Sequence, residues 1–236
     1  MLEKETFTPI ETDRKIIALK DIMDPNRSIP ENYKKLILAQ EKYQRTSSAT
    51  SFSWRWGDIE TGKPSNDTLE RLFKEHLNQQ VLVDLGGGQI DFSYMYSLAK
   101  HCGASAYINV DLQRHGGEIN PFQPQDEKIT DGFYEAKVAA DMLDFVAHMK
   151  DGSANFAING IDQTIIDDPE YNEVLAQELV RATARGGIIF GIESDVGACL
   201  GGIARKENAP IRPVLEAIER ISGNFSFNKF LFEKLE

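Results

Sequence analysis

The chain has 236 residues, enough for one large domain or for a domain of about 150 residues with an appendage. Hydrophobic residues make up 41%, aromatics 9% and charged residues 27%, which excludes collagen-like, disordered and disulfide-rich classes. Twenty-six basic against 37 acidic residues give a net charge of −11, so the molecule as a whole repels phosphate backbones and anionic membranes. That disfavours nucleic acid as a partner. Cys102 and Cys199 are the only cysteines, a pair too sparse for a disulfide framework or a zinc-ligand spacing, so free thiols in a reducing compartment and no metal site are expected. The start, "MLEKETFTPIETDRK", is charged throughout, and about 18 consecutive apolar residues occur nowhere. These features predict a soluble, cytoplasmic protein without a membrane partner.

In chain order, the first helical pattern is "PENYKKLILAQEKYQ", with Pro30 in the first turn and Leu36, Ala39 and Tyr43 at helical intervals. A Ser/Thr-rich loop follows and holds both tryptophans, Trp54 and Trp56. They serve either as anchors or as parts of a lid over a ligand. "NDTLERLFKEHL" is the next helix, with Asp67 as candidate N-cap and Leu69, Leu72, Phe73 and Leu77 on one face. Residues 1–79 therefore predict a helical cap, and residues 80–236 a second unit of different texture. There, apolar runs alternate with helices: "VLVDL" (81–85), a helix from about Phe92 to His101, "AYINVD" (106–111), "AKVAAD" (136–141), "ANFAING" (154–160), a helix over 173–184 and "GGIIFGIES" (186–194). This alternation predicts right-handed βαβ crossovers, hence an α/β fold with a doubly wound, mostly parallel sheet covered on both faces. A helix in "RPVLEAIERIS" and an antiparallel edge strand in "FSFNKFLFEKLE" close the chain.

Ligands of such sheets sit outside the carboxyl ends of the strands, where a glycine-rich first turn lets the backbone approach them. Gly86, Gly87 and Gly88 occupy that turn, where a β-carbon would restrict positive φ and fill space that a cofactor needs. Asp111 ends the next strand and is placed to accept bonds from ribose hydroxyls, with Leu112 beside it. Asp84 lies two residues before the glycines. A carboxylate there repels the pyrophosphate of a dinucleotide but attracts a cofactor that carries an ammonium and a sulfonium.

"VLVDLGGGQ" resembles motif I of the class I S-adenosylmethionine-dependent methyltransferases, and "YINVDL" resembles the acid-ended second strand of that family. "AADMLDF" resembles the family's loop after strand three. The resemblance implies that Asp141 there reaches the adenine amino group while the backbone of Met142 or Leu143 faces the ring; Asp141 is equally placed to cap the following helix. "ANFAINGID" and "GGIIFGIES" are similar to strands four and five, so the resemblance runs over about residues 80–236. Three features depart from it: Ile90 where many members have a further glycine, a long insertion from Arg114 to Tyr134 that suggests substrate contacts, and a carboxyl end that looks short for the usual two closing strands.

The implied cofactor is S-adenosylmethionine, and the implied activity is methyl transfer to a small-molecule acceptor. Such a displacement needs alignment and, for a hydroxyl or protonated amine, a base. The ends of strands four and five nominate Asn159, Asp162 and Glu193, Asn159 also counting among the cofactor-binding residues, and His115 is a base candidate from the insertion. His148, four residues after Asp144, reads as half of a surface pair. A nicotinamide-dependent oxidoreductase is the rival enzyme reading, but "GGGQID" lacks the last glycine of a dinucleotide turn. A non-catalytic binding subunit on the same fold is the other rival.

Overall fold

The computed structural model describes residues 16–44, 56–58, 60–88, 93–112, 118–158, 168–192, 195–214 and 229–235. Its centre is an eight-stranded sheet: β1 (Val81–Leu85), β2 (Ala106–Val110), β3 (Asp126–Thr130), β4 (Phe133–Val138), β5 (Asn155–Ile158), β6 (Ile188–Ile192), β7 (Ile211–Pro213) and β8 (Lys229–Lys234). The spatial order is β3-β4-β2-β1-β5-β6-β8-β7. The five strands from β4 to β6 pair in parallel, whereas β3 pairs antiparallel with β4, and β8 pairs antiparallel with both β6 and β7. Every residue of β1 and β2 is buried, as expected of parallel strands covered on both faces.

The helices are α1 (Leu19–Ile22), α2 (Glu31–Gln44), α3 (Asp67–Leu77), α4 (Tyr94–His101), α5 (Met142–Ala147), α6 (Pro169–Ala182) and α7 (Asp195–Ala204). Alternate strand residues divide the core in two. Val81, Val83, Ile108, Val110 and Phe156 pack with apolar residues of α1, α2, α5, α6 and α7. Leu82, Tyr107, Ala157 and Phe190 pack with those of α3 and α4. The described helices of residues 1–79, the segment expected as a cap, thus lie in the two layers beside the sheet. Backbone bonds from Asp24 N–H to the His148 carbonyl (2.8 Å) and from Lys150 N–H to the Ile22 carbonyl (2.8 Å) strap α1 to the loop after α5.

Several local expectations change. Asn66, not Asp67, caps α3 and accepts from the Leu69 N–H at 3.0 Å, since the residue before the first helical one reaches that orphan donor. On α2, Leu36, Ile37 and Gln40 are buried and Ala39 is exposed, so the inward stripe is offset from the one expected. Asp126–Thr130, within the expected insertion, forms the exposed edge strand β3. Arg212 and Pro213 belong to β7 rather than to a helix; both closing strands are present, and β8 lies between β6 and β7 instead of at the edge. Trp56 is buried against Phe73 and Phe190, with ring centroids 5.7 and 5.5 Å away. The loop that carries it closes on itself through a bond from Ser65 N–H to the Trp56 carbonyl at 2.9 Å and a Gly57–Pro64 bridge. Trp56 is therefore an anchor, and Trp54 lies outside the described residues. Among those residues no helix is long and apolar enough to cross a membrane.

Candidate functional site

Strand order reverses at β1, which has β2 on one side and β5 on the other, and the glycine turn leaves its carboxyl end. Gly86 and Gly88 have φ of 73° and 63°, values that side chains adopt only with strain. Gly86 N–H donates to the Val110 carbonyl at 2.8 Å, which ties the turn to the end of β2. Gly87 is glycine for another reason: its β-carbon would meet the Asp84 carboxylate and the Asn109 amide. The space that the sequence reserved for a cofactor is, at this residue, filled by the protein. At Gly88 a β-carbon would meet nothing within 4 Å among the described residues, so the turn faces open space between them.

Asp84 is fully buried on the side of α3 and α4. Its Oδ2 accepts from the Tyr107 hydroxyl at 2.6 Å and from Ser93 Oγ at 3.1 Å. The acid thus sits beneath the turn. Burial and the adjacent Asp84 charge push the Tyr107 phenol well above its ordinary range, so it stays a proton donor. Asp111 is half-buried at the end of β2; its Oδ2 accepts from Gly88 N–H at 3.0 Å, and its own N–H donates to the Val138 carbonyl at 3.1 Å. Leu112 follows, also half-buried. The structure therefore brings together Asp84, Gly86, Gly87, Gly88, Asp111 and Leu112 at the carboxyl ends of β1 and β2.

Asp141 caps α5: its Oδ1 accepts from the N–H groups of Leu143 (2.9 Å) and Asp144 (3.2 Å). The Tyr171 hydroxyl lies 3.0 Å from both carboxylate oxygens, and the side chain is fully buried. Burial pushes its carboxyl up to about 7, against the lowering effect of those hydrogen bonds. Met142 is half-buried at the first position of α5. The Asp144–His148 pair forms at 3.2 Å but is mostly buried rather than on the surface, because Phe122 packs edge-on against the His148 ring. His115, Asn159, Asp162 and Glu193 lie outside the described residues.

Sequence reasoning missed Tyr107, Asn109, Ser93 and Tyr171. The first two carried a signal, since polar side chains at 107, 109 and 111 recur with the period of a strand face. Tyr171 had no local one, for it reaches Asp141 from another helix, 30 residues on.

The parallel strands with their switch at β1, the glycine turn after β1, the acid-ended β2 and the two closing strands together settle the architecture. The chain carries the class I methyltransferase fold. No protein-family model matches the sequence, and no curated protein is a recognisable relative of it. Solved structures similar to the chain include an rRNA methylase from Streptococcus thermophilus, 8% identical with a TM-score of 0.45, covering 72% of this chain and 95% of that one. A geranyl diphosphate C-methyltransferase from Streptomyces coelicolor A3(2), solved with Mg2+, geranyl diphosphate and S-adenosyl-L-homocysteine, is 13% identical with a TM-score of 0.46, covering 89% and 99%. The sugar N-methyltransferase KedS8 from a Streptoalloteichus species is 12% identical with a TM-score of 0.47, covering 80% and 96%.

S-adenosylmethionine fits part of this methyltransferase-fold site. The space over Gly88, open among the described residues, and the half-buried carboxylate of Asp111 beside it suit a ribose, because a carboxylate accepts bonds from hydroxyl donors. Asp84 lies buried under the turn, and Asp141 caps α5 and so fixes its start.

Proposed function

We propose that this protein is an S-adenosylmethionine-dependent methyltransferase acting on a small molecule. The observation that carries the reading is the juxtaposition of Gly88 and Asp111, an open glycine turn and an acid joined by one hydrogen bond of 3.0 Å at the ends of adjacent parallel strands. Asp111 would hold the ribose hydroxyls, Gly86 to Gly88 would let the ligand approach the backbone, and Leu112 and Met142 would border the adenosine. The buried charge of Asp84 favours a cationic ligand over a pyrophosphate.

When bound, the cofactor would supply a methyl group activated by its attachment to a sulfonium. The chain's own part is to align the acceptor and, where the acceptor carries a proton, to take that proton. His115, Asp162 and Glu193 are the proposed residues for this, with Asn159 beside the cofactor. The net charge of −11 favours a small acceptor over a nucleic acid.

Calorimetry with S-adenosylmethionine, S-adenosylhomocysteine and NAD tests the cofactor, and tighter binding of NAD reverses the assignment. Transfer of an isotopically labelled methyl group to a small-molecule fraction is the result expected for the acceptor. Label recovered in RNA instead overturns that half of the reading.

A further inference from the structure

One face of β2 is polar where a buried parallel strand is ordinarily apolar. Ala106, Ile108 and Val110 obey that rule on the side of α5 and α6. On the other face stand Tyr107 and Asn109, both with no exposure, and the row continues to Asp111 just past the strand. Residues two apart share a strand face, so the three side chains form a comb aimed at the neighbouring β1 turn.

Each tooth of the comb reaches a different point of that turn. Tyr107 donates to Asp84 at 2.6 Å, Asn109 Nδ2 donates to the Gly88 carbonyl at 3.3 Å, and Asp111 accepts from the Gly88 N–H at 3.0 Å. Both backbone polar groups of Gly88 are therefore gripped from β2. The teeth are also joined to one another, since Asn109 Nδ2 lies 3.3 Å from the Tyr107 oxygen. Ser93 completes the arrangement from the far end of the loop. It occupies the N-cap position of α4, yet its hydroxyl bonds Asp84 rather than the helix and lies 3.0 Å from the Tyr107 oxygen. Entry to and exit from the loop thus meet at one buried carboxylate.

Three consecutive glycines have more conformational freedom than any other tripeptide, and a binding turn loses affinity if it must be ordered by the ligand. Buried polar side chains add little to stability compared with apolar ones of the same shape. A row of them aimed at the most flexible turn of the site points to organisation. We propose that Tyr107 and Asn109 are positioning residues that hold the Asp84–Gly88 turn in the conformation that presents Gly88 and Asp111 together to the cofactor's ribose. This rests on the cofactor reading above, but the clamp itself is testable without ligand.

The test uses the full chain with Asn109→Ala and, as a second variant that keeps the ring, Tyr107→Phe. Two quantities are read well below the melting temperature: the exchange rate of the Gly88 amide in ligand-free protein, and the calorimetric dissociation constant for S-adenosylhomocysteine. Asn109→Ala is expected to speed Gly88 exchange and raise the dissociation constant at least tenfold each. Tyr107→Phe should also weaken binding, and the double variant by less than the product of the two, because both act through one turn. Unchanged Gly88 exchange in Asn109→Ala overturns the clamp. Faster exchange with unchanged affinity, or a lowered melting temperature alone, overturns the positioning role. A wild-type protein that binds no sulfur nucleotide overturns the cofactor reading and the positioning role with it, while the exchange data still report on the clamp.

Discussion

The carboxylate of Asp84 occupies the space that a β-carbon on Gly87 would need: such an atom would lie 2.6 Å from the acid's Cγ and 2.8 Å from the Asn109 amide nitrogen. The middle glycine is thus fixed by what lies beneath it, and its two neighbours by their positive φ. Substitutions should separate these causes. Gly88→Ala meets no atom of the described residues and should lose roughly 1–2 kcal/mol through backbone strain. Gly87→Ala must displace buried polar groups, a change of the overpacking kind that costs roughly 1–3 kcal/mol, and its effect should couple to Asp84. Urea unfolding of Gly87→Ala, Asp84→Ala and the double variant is expected to be non-additive, whereas Gly88→Ala and Asp84→Ala should come closer to additivity. Full additivity in the first pair would mean that the turn moves away from the acid at no cost.

Asp111→Ala should weaken binding of S-adenosylhomocysteine at least tenfold, because a charge-assisted hydrogen bond is worth roughly 1.5–3 kcal/mol. The fold should lose little, since the residue is half-buried and water can reach the Gly88 N–H in its place. Calorimetry and thermal melting on one preparation separate the two effects. An unchanged dissociation constant with a lower melting temperature would make Asp111 a structural residue.

Asp141 makes stability depend on pH in a direction opposite to most carboxylates. Burial holds its carboxyl at about 7 in the folded protein, against about 3.9 in an unfolded chain. Between those values the unfolded chain has released the proton and the folded one retains it, so stability falls as pH rises and the loss is complete above about 7. The groups facing it are the Tyr171 hydroxyl and the Asp144 carboxylate, whose charge adds to the rise. His148, raised by Asp144, acts with the same sign: its contribution is full below its ordinary value and lost as pH climbs through its folded one. Asp141→Asn keeps an N-cap acceptor and removes only the first term. Urea unfolding from pH 4 to 8 should show a shallower decline in this variant and greater stability than wild type at pH 8. An identical slope would show that Asp141 ionises freely.

What the sequence made legible follows from where the signal lay. Apolar runs at 81–85 and 106–110 announced buried parallel strands because both of their faces are covered, and the glycines marked the turn because positive φ leaves few alternatives. The strand β3 was hidden: "DEKIT" is wholly exposed, so no apolar alternation betrays it, and its pairing with β4 comes from the tight turn at Asp131 and Gly132, both at positive φ. The protein partners of Asp84 were not legible, because a linear sequence cannot show which side of a turn a side chain takes. Only the partner strand, with Tyr107 and Asn109, decides that.

The tryptophans give the last prediction. Trp56 is 1% exposed, wedged edge-on between Phe73 of α3 and Phe190 of β6. Removing such a ring should be expensive: Trp56→Ala is expected to cost roughly 3–5 kcal/mol, since a large aromatic leaves a cavity that the core closes only in part. An indole already packed in the ligand-free protein has no further water to lose when a ligand binds. In a Trp54→Phe variant, where Trp56 is the only emitter, the spectrum should therefore be blue-shifted from the start and stay flat through a titration with S-adenosylhomocysteine. Any response of the wild-type protein then belongs to Trp54, and Trp56→Phe should retain it. Calorimetry on the same samples guards against reading a failure to bind as a silent fluorophore. A saturable change in the Trp54→Phe variant would mean that the core around Phe73 and Phe190 opens on binding, and that Trp56 is part of a lid after all.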